Sequence, residues 1–584
     1  MKASVVLDSS PALEQAPAWT PRRLILLAGV GLVLLLAAAI VVDTARTVVR
    51  LRSPYPVIDE WDNIAVYRDW IEGRTSTLQA FLAPNYEHRI AIPRLILFSD
   101  YRFFGGRGTL DLLVIFATQG LQAALLVGWL WSKPASRLGG LLVASAVVGL
   151  TFSLRQWHNF IWGFQVQFVG VYALASLGIL LFVGGLVSRN RGGRGTLLLV
   201  AGYAGALAAT FTMASGMLVG PVMVALAILW RAEWRIILLT AAVTLACAAA
   251  YRTGLDLQPG FTIGDSLGRL GQPARLIAFT AIDLGNLQGR SMLAARWLGY
   301  GAFAIAGLVV VTAMRRGKRD AMPFALVGIM LFCLASALMT AVGRLGYGME
   351  QALSSRYATG TGLFWSSVLA YGWCVASEKS GSRAWRAAIY AGGLGLLCCA
   401  AWAGRDGRTD VENWSQVQRR AADLTLTGLT LGSSDPDDGS LGLEPQIDFL
   451  RRQRLSVFSL PEGFAAGRPL TSAGPIAPPD RCHGAATSAA AIPEQADLQG
   501  VAITGVVDRP QTTRIYIADG AGTIVGFASV TTHPARVRAW EGFARVPAGT
   551  PLSAFVRLAD GGLCYLGTAI VTESRSASVP RREP

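Results

Sequence analysis

Eleven apolar runs, most of them long enough to cross a bilayer at about 1.5 Å of helix per residue, constrain this chain more than any other feature. The first, Leu24 to Val42, follows Arg22-Arg23. At 19 residues it exceeds the core of about 7–15 residues usual in a cleaved signal peptide, so it reads as a retained anchor. The others lie near 110–131, 138–154, 164–187, 196–212, 216–230, 236–251, 295–313, 322–342, 360–376 and 387–404. Apolar residues make up 52% of the 584 and charged residues 15%, against about 25% in soluble proteins, which excludes both a soluble enzyme and a disordered chain.

The net charge of +15 suggests nucleic acid until it is divided by position. Residues 1–404 carry 34 Lys/Arg against 18 Asp/Glu, and residues 405–584 carry 18 against 19. The excess therefore flanks the apolar runs, where it sets topology and meets lipid phosphate, and no nucleic-acid partner is expected. Alternate junctions are short and basic: Lys133/Arg137, Arg189/Arg191/Arg194, Arg231/Arg235, Arg315/Arg316/Lys318/Arg319 and Lys379/Arg383/Arg386. With Arg22-Arg23 they follow the positive-inside rule, putting the N-terminus in the cytoplasm and the loop 43–109 and everything after 404 on the opposite side.

Three regions are expected: a membrane domain over 1–404, linker and surface helices over 405–496, and a small β-sandwich over 497–584 built from alternating segments such as Val501–Val507 and Arg514–Ala518. Residues 432–440 and 464–498 have linker composition, and the basic stretch Pro445 to Phe458 suits a membrane surface. Cys482 and Cys564 permit one disulfide in an oxidising compartment, whereas the five remaining cysteines lie in apolar runs. Trp540 and Tyr565 are candidate sugar platforms or core aromatics.

The chemistry concentrates in the loop 43–109, which carries Asp59-Glu60-Trp61-Asp62-Asn63 and Tyr86-Glu87-His88-Arg89. Acids beside a bilayer are costly unless paired, hydrated or used. Asp59 and Asp62 share one helical face and can converge on a ligand; equally, Asp59 can be an N-cap with Asp62 at the reciprocal capping position. Other junctions on that side bring Arg155-Gln156-Trp157-His158-Asn159, Trp162-Gly163-Phe164-Gln165, Gly343-Arg344 and Ser355-Arg356-Tyr357. Most interfacial aromatics and arginines only anchor helices, but acid, His, Arg and aromatic residues from four loops suggest one site.

An anchor, an acidic pair heading a large first loop, many spans and a C-terminal domain on the far side resemble the GT-C superfamily of integral-membrane glycosyltransferases. The short motifs Glu87-His88-Arg89-Ile90, Trp162-Gly163-Phe164-Gln165 and Ser355-Arg356-Tyr357 look like uncharacterised bacterial members, and the resemblance covers about 1–404. It implies transfer of a sugar from a polyprenyl-phosphate donor to an envelope glycan or lipid acceptor at the periplasmic face of a bacterial inner membrane. The acidic pair then falls on Asp59 and Glu60. His88, Arg89, Arg344, Arg356 and Tyr357 would bind the donor phosphate, and Asp62, Trp157, His158 and Gln165 the substrate. Some members hold Mg²⁺ or Mn²⁺ on an Asp-x-Asp motif; here Asp59-Glu60 stands in its place, which leaves metal dependence open. A flippase of lipid-linked saccharides and a non-catalytic envelope assembly protein are the alternatives.

Overall fold

The structure, a computed structural model, describes residues 21–131, 137–189, 193–255, 263–287, 289–316, 321–377, 382–429, 442–479, 482–492, 500–508, 514–530, 537–547 and 549–571. Lys133, Arg191, Lys318, Arg319, Lys379 and the linker 432–440 lie outside these residues.

A helix stands over each of the eleven apolar runs: α1 (Pro21–Leu51), α5 (Thr109–Trp131), α6 (Arg137–Phe152), α8 (Val166–Val187), α9 (Gly193–Thr210), α10 (Val219–Leu229), α11 (Trp234–Arg252), α14 (Met292–Arg316), α15 (Ala321–Arg344), α16 (Ala358–Ser377) and α17 (Arg383–Leu426). Only eight stretches among the described residues are long and apolar enough to cross a membrane, so the expected eleven is too many by that measure. α9, α10 and α16 fall short. The first run of α16 is diluted by Thr359, Thr361, Ser366 and Ser367, yet all four are buried, because neighbouring helices cover them instead of lipid.

Shorter helices fill the junctions: α2 (Glu60–Ile71), α3 (Thr77–Leu82) and α4 (Ala91–Phe103) in the first loop, then α7 (Trp157–Ile161), α12 (Ile263–Leu270) and α13 (Pro273–Leu284). Ser76 and Gln79 form a full capping box on α3, satisfying main-chain donors that the first turn leaves free. Rings of Tyr67, Trp70, Phe81 and Phe98 pack edge-on and stacked between α2, α3 and α4, so the first loop has its own core. That core extends to α18 (Glu444–Gln453), whose Phe449 is fully buried with its ring centroid 6.1 Å from that of Tyr67. The segment expected to lie on a membrane surface thus caps α2.

α17 runs unbroken for 44 residues, so the division drawn at 404 falls inside a helix. Gly407 lets it close on the main chain of Leu154, where a Cβ would meet the carbonyl oxygen. Its polar end reaches the C-terminal domain, where the buried Asp423 pairs with Arg514 and accepts from Ser529 Oγ at 2.7 Å. The domain is one antiparallel sheet of order β3-β4-β7-β6-β5-β8-β9, not two stacked sheets. The strands are β3 (Gly484–Ala491), β4 (Gly500–Asp508), β5 (Arg514–Ala518), β6 (Ile524–Val530), β7 (Val537–Arg545), β8 (Pro551–Arg557) and β9 (Leu563–Ile570). The sheet rolls until β3 lies against β9, where a Cβ on Gly484 would crowd Leu566, enclosing a core of Val501, Ile503, Ile517 and Leu552. β3 lies inside the stretch expected to be linker. Cys482 and Cys564 are bonded, joining the start of β3 to β9 across a sequence separation of 82. Trp540 is 2% exposed and belongs to this core, leaving Tyr565 as the accessible aromatic of the two.

Candidate functional site

Asp59 stands at the N-cap position of α2, but its side chain makes no capping bond. The capping explanation therefore does not hold, and the carboxylate is left for other partners. The residue before it, Ile58, has φ of 47°, a conformation costly for a β-branched side chain. The same strain recurs at Tyr86, with φ of 52°, in the tight turn between β1 (Pro84–Asn85) and β2 (His88–Arg89). Two strained turns thus present Asp59 and Glu87-His88.

Arg89, expected to bind a donor phosphate, anchors that hairpin and lies outside the lining of the cavity beside it. Its Nε donates to the Tyr251 carbonyl at 2.7 Å, and its terminal nitrogens donate to the carbonyls of Leu82 and Thr253. The Tyr251 hydroxyl in turn donates to the Glu87 carbonyl at 2.9 Å. With its donors committed to main chain, Arg89 locks the first loop to the end of α11.

Beside the hairpin lies a cavity of about 420 Å³. Its walls are apolar, with Phe168, Met213, Met217, Leu255 and Met339, and its polar lining includes Arg252, Arg269, Arg344, Arg356, Glu87 and His88. Arg344 pairs with Glu87 at 2.5 Å, and His88 Nε2 lies 3.5 Å from the same carboxylate oxygen. The Arg356 guanidinium sits over the Phe168 ring at 5.9 Å; among the described residues no hydrogen bond or close ion pair holds it. The buried His88 Nδ1 and Tyr357 hydroxyl likewise have no partner among the described residues.

Burial raises the Asp59 carboxyl; Arg356 opposes the rise, Asp62 adds to it, and Arg344 and Glu87 act more weakly in opposite senses. Asp59, Asp62, Glu87, Arg344 and Arg356 therefore share one electrostatic neighbourhood. The Tyr86 phenol sits beside Asp62 and Asp59, and burial with these charges pushes its ionisation up. Burial lowers His88, with Glu87 opposing and Arg344 and Arg356 reinforcing, which favours the uncharged imidazole.

Glu60 faces elsewhere. It accepts from Trp162 Nε1 at 3.0 Å, and burial raises its carboxyl to about 7, with Asp100 adding to the rise. Asp59 and Glu60 thus do not present two carboxylates to one ion, because successive residues at a helix start point to different sides. Among the described residues no group of three or more His, Cys, Asp or Glu is disposed to hold a metal.

Trp157, His158 and Gln165, expected to touch substrate, do not line the cavity. Instead the segment 155–159 grips the segment that bears Arg356. Arg155 donates to Leu353 O at 2.6 Å, His158 Nδ1 meets Ser355 Oγ at 2.5 Å, and Asn159 Nδ2 donates to Arg356 O at 2.9 Å. Asn286, itself bonded by Arg155, donates to Ser354 O at 2.9 Å. Trp157 stacks on His158 at 3.6 Å between ring centroids and packs on Trp414. Gln165 is buried with Oε1 unpaired among the described residues. Asn159 Nδ2 also donates to Thr359 Oγ1 at 2.8 Å, so Asn159→Ala, which removes two buried hydrogen bonds, is expected to destabilise the protein by about 1–3 kcal/mol in thermal unfolding from detergent micelles.

Sequence reasoning passed over Arg252 and Arg269. Both end helices on the side of the bundle that carries the site, the one signal that could have marked them. Compared with known proteins, the chain matches no family model, no curated protein and no solved structure.

Proposed function

We propose that the protein is a membrane glycosyltransferase of the GT-C kind, moving a sugar from a polyprenyl-phosphate donor to an envelope glycan or lipid acceptor at the periplasmic face of a bacterial inner membrane. One observation carries this reading: a cavity with apolar walls whose polar lining holds four arginines, and a half-buried, uncapped Asp59 that lies outside that lining but within electrostatic range of Arg356 and Arg344. A lipid phosphate needs both features, hydrocarbon contact for the chain and fixed positive charge for the head.

In this reading the acceptor hydroxyl gives its proton to Asp59 as its oxygen bonds to the anomeric carbon. The bond from that carbon to the phosphate oxygen breaks, and the phosphate leaves with the electron pair. Arg344 and Arg356 stabilise the charge that develops there, which water could do only after reorganising. Burial strengthens Asp59 as a base by raising its proton affinity. His88, whose Nδ1 has no partner among the described residues, hydrogen-bonds the phosphate. No step is assigned to a divalent cation, since Asp59 and Glu60 do not fit a shared one.

Proteoliposomes carrying a radiolabelled polyprenyl-phosphate sugar test this. Label on a new acceptor supports transfer. Donor carried across the bilayer unchanged overturns it in favour of a flippase, and donor left unchanged and unmoved in favour of an assembly protein.

A further inference from the structure

A second cavity, about 240 Å³, lies between α4, α5 and α8 on the other side of the α8 N-terminal turns. α8 and the segment after α9 form the partition: Phe168 and Met213 face the arginine cavity, whereas Gly170 and Thr212 face this one. The two differ in chemistry. No charged side chain lines the second cavity, and its volume is far above the roughly 10–15 Å³ that a single water needs.

Its shape is a slot. On α5 the lining residues Val114, Thr118, Leu121, Gln122 and Leu125 form one helical stripe, matched on α8 by residues 166 to 177. Eleven residues of helix give it a length of about 16 Å, roughly half the hydrocarbon thickness of a bilayer. Leu121, Leu125 and Leu177 line the slot and are also exposed, at 59%, 38% and 38%, so it opens sideways where a membrane would lie.

Gln122 decides what the slot takes. It is 6% exposed, yet neither its Oε1 nor its Nε2 has a partner among the described residues. The hydroxyls of Ser176 and Thr212 are spent on carbonyls of their own helix or its last turn, those of Tyr172 and Ala208. A buried carboxamide left unbonded costs free energy that plain hydrocarbon cannot recover. It sits about 12 Å along the slot from Val114, too deep to reach a lipid head group. A polyprenyl chain carries no hydrogen-bonding group along its length and would leave the amide unpaired.

We infer that this slot binds the acyl chain of a membrane lipid bearing a hydroxyl well below its head group, with Gln122 as hydrogen-bonding partner of that hydroxyl. The site is separate from the arginine cavity and stands whether or not the protein transfers sugars.

Photolabelling of the full chain in proteoliposomes tests it, using three diazirine probes: a phospholipid with a hydroxylated acyl chain, the same lipid without the hydroxyl, and a polyprenyl phosphate. The hydroxylated probe is expected to label peptides of α5 and α8 about five-fold more than its plain counterpart, the worth of one hydrogen bond. Gln122→Leu removes that preference, and Ala173→Phe, which fills the slot, lowers labelling by both acyl probes about ten-fold with an unchanged size-exclusion profile. Equal labelling by the two acyl probes in the native protein, or labelling of this stripe chiefly by the polyprenyl probe, overturns the inference. Arg356→Ala should leave the pattern unaltered, which separates this result from the fate of the transferase reading.

Discussion

Asp59→Ala is expected to lower sugar transfer by about 10²–10⁴-fold, the span attributed to a positioned general base, while the protein remains abundant in the membrane. The structure supplies the reason for expecting so selective an effect. A carboxylate that capped α2 would cost stability when removed, but Asp59 makes no capping bond. Its surroundings are Arg356, Asp62, Arg344 and Glu87, so its loss changes the charge of the site more than the packing of the helix. Asp59→Asn, of equal volume, should be as inactive as the alanine variant. Proteoliposome transfer at saturating donor measures the effect, and activity within three-fold of the native protein would remove Asp59 as the base.

Glu60→Gln should do the opposite: keep transfer and change stability with pH. Burial raises the Glu60 carboxyl from its ordinary 4.5 to about 7. A carboxyl whose proton affinity is higher in the folded state stabilises the fold fully at pH below about 4.5. That contribution is lost as pH rises, and the loss is complete above about pH 7. The penalty at pH 8 is then on the order of 3 kcal/mol, by the usual free energy per pKa unit. Glutamine carries no charge and still offers Trp162 Nε1 an oxygen. The variant should therefore be more stable than the native protein at pH 8, with the gap closing by pH 4.5 in thermal unfolding from detergent micelles. A gap that does not vary with pH would contradict a half-buried Glu60 with raised proton affinity. Transfer that collapses in this variant would return Glu60 to the acidic pair that the family resemblance assigns.

The contrast between these adjacent acids shows where reading from sequence stops. Asp59-Glu60 reads as a unit because its residues touch in the chain, yet α2 turns one toward the arginines and the other toward Trp162 and Asp100. Arg89 reads as a phosphate ligand because it follows Glu87-His88, but the strand turns it away from His88 and onto the carbonyls of Leu82, Tyr251 and Thr253. The pairing of Trp162 with Glu60 involves two of the segments singled out in the sequence, although nothing in their spacing joins them.

The apolar runs determined by themselves that helices form at eleven places, since a helix satisfies its backbone within its own segment, but only eight stretches among the described residues are long and apolar enough to cross a membrane. Alternation likewise fixed that the C-terminal region forms strands, since every second residue must face one core. Tertiary structure alone decided that the strands roll into one sheet and that α17 carries the apolar region straight into it. It also decided that arginines from α11, α12, α15 and the turn before α16 meet around one cavity. Periodicity reports which face of an element is apolar; which elements meet is settled by packing between residues hundreds of positions apart, and local pattern carries no record of that.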